Sequence, residues 1–374
     1  MEIFINSTNV TLQLKLLSKQ NVVYVTENTL KDTNGQINSI IIKKKGVDYE
    51  YGVDIYIDFK TEKVYTNNIP EYILEIYKSI ILLYPITFSI PEEKITSKDQ
   101  ILCKDKIISS LIPGDTSTYI YNTEEEYYNE YKRSYFANTR NKAGWDCMRH
   151  YEIMANGCIP YFPNIEECPP KTMHILPKKL MIEANTLYKE CMSGMNDNNT
   201  EKCRKLSQQF LEYTRNNLTT TCIAKYILTK TGNNIKSILY LSGHLFSDYL
   251  RCLTLHGFKK ILGAECHDSP KVPHMYKNHG IPEDKMWGKG YSYNGLLEDS
   301  LHNNVYDSTI EQDIKNKKYD IVIYGSYHRG MPHYDLVMQN YSPNKVILLC
   351  GEDLHQCNYK HYTNKGHFVF VREL

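Results

Sequence analysis

The sequence predicts an α/β protein with two Rossmann-like lobes facing a cleft, and three observations lead there. Residues 134–163 read as loop, helix, glycine and buried strand, the crossover unit of a parallel sheet. The runs SILYLSG (237–243), YDIVIYGS (319–326) and KVILLCGED (345–353) are apolar stretches ending in small or acidic residues, as parallel strands do where they deliver loops to a site. Between them, an amphipathic helical stretch over 181–230 ends at the hinge Thr231 to Asn234, so it can join two lobes.

Residues 1–95 make an N-terminal α/β segment assigned to the first lobe. Its β-like runs are VVYVTE (22–27), SIIIKKK (39–45) and DIYIDF (54–59), parted by Asn, Gly and Asp turns. After Pro70 the spacing of Ile73, Ile76 and Ile80 predicts a helix over 70–81. Residues 96–230 form the expected donor-binding lobe with its helical connector. In it, STYIY (117–121) reads as a strand, and Thr123 with Glu126 forms a capping box that opens a helix. A second helix is expected over Cys147 to Asn156, closed by Gly157 in the left-handed conformation, and CIPYF (158–162) returns as a strand. Residues 231–374 form the second Rossmann-like, acceptor-side lobe. There FSDYLRCLTLHG (246–257) reads as a helix, KKILGAE (259–265) as a strand and HFVFVREL (367–374) as a closing edge strand.

Composition narrows the function classes. The 374 residues carry 44 basic and 43 acidic side chains, so bulk charge gives no reason to expect nucleic acid as a partner. Eleven cysteines without a CxxC pair are too sparse for a disulfide framework. MEIFINSTNVTLQLKLL lacks a basic leader followed by a continuous apolar run, so no signal peptide is expected, and the apolar stretch at 80–88 is too short for a transmembrane segment. A cytoplasmic location with reduced thiols is therefore expected. No P-loop, GxGxxG, HExxH or GxSxG pattern occurs, which lowers ATPase, dehydrogenase, zincin and common hydrolase readings.

Chemistry concentrates between Gly144 and Pro160. Arg149, Glu152 and Asn156 are three or four residues apart and share a helical face. An arginine there suits phosphate, and a carboxylate suits sugar hydroxyls. An ordinary surface ion pair between Arg149 and Glu152 satisfies the same spacing.

SYFANTRNKAGWDCMRHYEIMANGCIPYF (134–162) resembles the donor-binding part of exostosin-like and related two-domain nucleotide-sugar glycosyltransferases. The resemblance implies a GT-B-like fold and metal-independent transfer of a sugar from a nucleotide-sugar donor to a hydroxyl on a sugar or glycan acceptor, with no further cofactor. It implies a donor site of Gly144, Trp145, Arg149, Glu152, Asn156 and Gly157. Arg149 would neutralise the diphosphate, Glu152 would hold the ribose or donor sugar, and Gly157 would let the next strand approach. In that family the donor-side segment lies in the last third of the chain. Here it falls before residue 160, so a circularly permuted domain order is expected.

On the acceptor side, polar groups follow the strands at Gly243-His244, Glu265 to Asp268, Gly325 to Arg329 and Gly351 to Asp353, which suggests one crevice. Asp268, His244 and His328 are the expected catalytic bases and Arg329 an added phosphate contact. Cys266, His267, Asp268 and His244 include metal-ligand types, but the close Cys or His pairs of a structural zinc site are missing, so no metal is expected. Two other functions fit less of the chain: a non-catalytic sugar- or nucleotide-binding protein, and a methyltransferase-like α/β enzyme suggested by SILYLSGH and Glu265.

Overall fold

The computed structural model describes strand backbones between residues 16 and 67, and residues 82–97, 103–232, 234–353 and 357–374. The chain divides into two units, Met1–Lys78 and Ser79–Leu374. In the first, β1 (Leu16–Ser18), β2 (Asn21–Thr26), β3 (Ile40–Lys44), β4 (Glu50–Asp58) and β5 (Lys63–Asn67) pair antiparallel in chain order. The expected runs fall on β2, β3 and β4, while β1 and β5 are too short or too polar to stand out. The helix predicted over 70–81 lies outside the described residues.

The second unit holds two separate parallel sheets. One comprises β7 (Lys106–Ile108), β8 (Ser134–Asn138) and β9 (Ile159–Tyr161), paired in that order. The other is built from β6 (Leu83–Pro85), β10 (Ile238–Leu241), β11 (Cys266–Ser269), β12 (Ile321–Tyr324), β13 (Val346–Cys350) and β14 (Phe368–Val371). Its spatial order is β11-β10-β12-β13-β14-β6, all parallel. The order reverses between β10 and β12, the switch point of a Rossmann-like doubly wound sheet. Every residue of β10, β12 and β13 is buried, which is why they read as unbroken apolar runs.

In the smaller sheet's region, α1 (Glu124–Lys132) starts at the expected capping box of Thr123 and Glu126. The helix α2 (Met148–Ala155) follows β8, with Cys147 and Asn156 as its flanking residues. Gly157 has φ 63°. Its N–H donates to Met154 O at 3.2 Å and that of Cys158 to Ile153 O at 3.1 Å, which closes the helix in a Schellman motif. Three helices then run in succession, α3 (Lys178–Ser193), α4 (Asp197–Asn217) and α5 (Thr220–Thr231).

In the larger sheet, α6 (Tyr249–Leu262), α7 (Asn304–Lys315), α8 (Tyr334–Asn340) and α9 (Tyr359–Asn364) connect the strands. One face of this sheet, with Ile238, Tyr240, Ile321 and Ile323, packs on α5 and α6 in a core that also takes in Phe136, Ile159 and Phe162 beside the smaller sheet. The opposite face, with Leu239, Val322 and Leu348, packs on Ile310 and Ile314 of α7 and Val337 of α8.

Four expectations are corrected. STYIY is no strand: Thr116–Thr118 is a 3-10 turn. KKILGAE is not a strand either, because α6 runs on to Leu262 and the strand is the polar CHDS that follows. The 367–374 segment is not at the edge, since β6 pairs with its outer side and Ile86 N donates to Val371 O at 3.0 Å. Finally, Cys350 and Cys357 are joined as a disulfide, whereas reduced thiols were expected. Among the described residues, no helix is long and apolar enough to cross a membrane.

Candidate functional site

Both sheets send loops from their C-terminal strand ends into one cleft of about 510 Å³. From the smaller sheet come the loop after β8, with Lys142, Gly144 and Asp146, and the start of α2, with Cys147, Arg149 and Glu152. From the larger sheet come Asp248 after β10, Arg329 after β12 and Gly351 to Asp353 after β13. The β10 and β12 loops are tied together where His244 N donates to Arg329 O at 3.1 Å.

The loop after β8 is held from several sides. His150 Nε2 donates to Trp145 O at 2.9 Å, which leaves Nδ1 to accept from Thr139 Oγ1 at 2.8 Å. Burial holds His150 near a pKa of about 4, so this neutral tautomer is the resting form. The Trp145 and Asp146 N–H groups donate to Glu373 at 3.0 Å. Gly144 is required by that clamp, because a Cβ there would stand 2.6 Å from Glu373 Oε1. Arg372 is fully buried and binds Asp146 O, Glu373, Asp353 and Gly351 O, joining the loops of both sheets beneath the cleft.

Arg149 is buried, donates through Nε to Tyr119 OH at 3.2 Å, and leaves Nη1 without a hydrogen-bond partner. Burial disfavours its charge, but Cys147 and the surrounding tyrosines hold its pKa above the usual value. Glu152 is pushed above the ordinary carboxylate range by burial, against the hydrogen bonds that Ser292 Oγ donates at 2.7 Å and Tyr127 OH at 2.8 Å. Arg149 and Glu152 are both buried and bond to Tyr119 and to Tyr127 and Ser292 rather than to each other, so the surface-pair alternative does not hold.

Across the cleft, Asp248 caps α6 by accepting from Arg251 N at 3.0 Å and pairs with Arg329 Nε at 2.8 Å. Burial alone would raise its pKa, and the two arginines bring it below the usual value. Glu352 is part-exposed, at 35%, and its Oε1 lies 3.0 Å from His328 Nε2. Aromatic walls come from Tyr119, Tyr127, Tyr249 and Tyr291, with Trp287 at 65% exposure.

Of the expected donor residues, Gly144, Arg149 and Glu152 line this cleft, and Trp145, Asn156 and Gly157 do not. Trp145 stacks on Phe162 with ring centroids 6.0 Å apart. Asn156 accepts from Thr96 Oγ1 at 3.0 Å and donates to Glu152 O at 2.8 Å, so it braces the helix end.

Arg329 is in the lining, whereas Asp268, His244 and His328 are not. Asp268 lies inside β11, fully buried, and takes Lys259 Nζ at 3.0 Å, Tyr276 OH at 2.6 Å and Val272 N at 3.0 Å. The misplaced strand explains the error: a residue expected in the loop beyond a strand sits within one. His244 is exposed, and its carbonyl accepts from Arg251. His328 is outside the lining but next to it, its Nε2 3.0 Å from Glu352 Oε1 without hydrogen-bond geometry.

Sequence reading missed Asp248, and placed Glu352 in the crevice without giving it a role. The capping pattern Ser247-Asp248 before an apolar helix marks the first, and the strand-end group Gly351-Glu352-Asp353 contains the second. Nothing local marks Trp287. Fold and site together define a Rossmann-like α/β protein with a charged, aromatic-walled cleft at the strand ends. No family model, curated protein or solved structure matches the chain.

Proposed function

We propose that the protein is a nucleotide-sugar-dependent glycosyltransferase with a GT-B-like arrangement of two lobes in permuted order. The observation that carries this reading is Arg149, a buried cation with a free Nη1 at the start of a helix whose first residues, Cys147 to Arg149, line the same cleft. A helix N-terminus and a preorganised guanidinium suit a diphosphate that gains negative charge as the sugar departs. Tyrosine and tryptophan walls suit a nucleobase. Glu152 suits donor hydroxyls, although its two hydrogen bonds to protein leave it fewer free lone pairs than an unpaired carboxylate.

The acceptor enters on the side of the larger sheet in this reading. Its attacking hydroxyl loses a proton to Glu352, the part-exposed carboxylate of the lining, while Asp248 is engaged by Arg329. This replaces Asp268, His244 and His328 as bases, since none of the three reaches the cleft. Lys142 and Arg329 add positive charge at the rim. A thermal-shift screen of sugar nucleotides, followed by product analysis with the stabilising ligand, tests the proposal. A raised Tm and a released nucleoside diphosphate are expected, with Glu352→Gln keeping the shift and losing product. Stabilisation without any product in the wild type points to a binding protein instead. No stabilisation by any sugar nucleotide refutes the reading.

A further inference from the structure

At the β11 edge of the larger sheet, three side chains outside the cleft converge. His267 lies in β11, His302 follows the 3-10 turn Asp299–Leu301, and Asp307 is in the first turn of α7. One ligand atom from each lies within 4.8 Å of the other two. His302 Nε2 is 2.9 Å from Asp307 Oδ2, and His267 Nε2 is 3.4 Å from Asp307 Oδ1. Around a tetrahedral zinc ion with bonds of about 2.0–2.1 Å, neighbouring ligand atoms stand roughly 3.3 Å apart, so these spacings need little adjustment.

Two further features point to an ion. His267 is 1% exposed, yet neither of its ring nitrogens has a hydrogen-bond partner. A buried imidazole nitrogen left unmet is costly, and an ion that accepts its lone pair removes the cost at that nitrogen. His302 is oriented through its other nitrogen: Nδ1 lies 3.1 Å from Asp268 Oδ1, and Asp268 is itself anchored by Lys259 at 3.0 Å and Tyr276 at 2.6 Å. A carboxylate behind a histidine is the usual support of a metal-bound imidazole.

We propose that His267, His302 and Asp307 form a site for one divalent transition-metal ion of the zinc class, with solvent completing its coordination. Two imidazoles and one carboxylate favour such ions over calcium or magnesium, which take oxygen ligands. Asp307, 39% exposed, provides the entry side. A salt-bridged triad of His302 with Asp268 and Asp307 accounts for part of the geometry without metal, but leaves His267 Nε2, 3.4 Å from Asp307 Oδ1, without a hydrogen bond. The two histidines lie far apart in sequence, so a search for close Cys or His pairs passes over them. Bound there, the ion would pin β11, the 302 loop and α7 to one another, apart from the cleft.

The experiment is titration of the chelator-treated full chain with Co²⁺, followed in the visible and near-ultraviolet and by thermal shift. One equivalent should bind with visible d–d bands, without a thiolate charge-transfer band, raise Tm, and be displaced by Zn²⁺. Asp307→Asn changes a part-exposed residue and should keep the fold by circular dichroism while losing at least about tenfold in affinity. His267→Gln should lose the bands as well. Stoichiometric uptake that is absent in the wild type, unchanged in Asp307→Asn, or accompanied by thiolate bands from the free cysteines overturns the proposal.

Discussion

Arg149 holds a charge where water reaches little of it, and its one hydrogen bond, to Tyr119 at 3.2 Å, leaves most of its donors for a ligand. Replacement by alanine should therefore cost folding little and turnover much. If the cleft stabilises a departing diphosphate, Arg149→Ala should lower kcat by about 10²–10³-fold, the loss of one preorganised contact. Wild-type turnover in a variant that unfolds at the wild-type temperature would remove Arg149 from that role. The helical spacing of Arg149 and Glu152 was legible because side chains three residues apart must share a face. Their separate partners were not, since Tyr119, Tyr127 and Ser292 come from other parts of the chain.

At the scale of elements, α2 ends where Gly157 takes φ 63°, and Ser207 Oγ of α4 donates to Gly157 O at 2.6 Å. A β-branched side chain is strained at that backbone angle. Gly157→Val should cost roughly 1–3 kcal/mol, read as a lower denaturation midpoint, with Gly157→Ala losing less. An unchanged midpoint in the valine variant contradicts the stated reason. The Thr123–Glu126 cap and this glycine stop were readable because caps depend on neighbours only a few residues away. By contrast, KKILGAE was misread because the expected helix ended at Gly257, whereas α6 carries that glycine in its interior, where a Cβ would run into Thr220 O, and runs on to Leu262. The polar CHDS carries no strand pattern of its own and is held in the sheet by its register with β10.

The whole molecule stores acid sensitivity in its buried histidines. Burial lowers His150, His174, His274 and His367 to a pKa of about 4. Between that value and the unfolded value near 6.5, the unfolded chain binds more protons than the native one, so stability falls as pH falls through this window. His302, raised by its hydrogen bonds to Asp268 and Asp307 against burial, works in the opposite direction, as do Asp146 and Glu152, raised by burial. Four lowered histidines outnumber these three raised groups, so the net slope keeps the sign set by the histidines. Tm should drop between pH 6.5 and 5, and His367→Gln should flatten the drop. A Tm that stays level or rises on acidification over that range contradicts this balance.

What the sequence determined by itself was local: helix caps, the glycine stop after α2, the strands of the larger sheet that are buried on both faces, and the gathering of polar groups after them. Each follows from a few adjacent residues and the period of the backbone. Tertiary structure decided strand order, the addition of β6 beside β14, and which strand-end groups share a cleft. It sent Asp268 into a buried network and brought Asp248 and Glu352 to the site. The physical reason is that hydrogen bonding between strands and the packing of helices on both sheet faces join residues hundreds of positions apart, and no local pattern encodes which of them will meet.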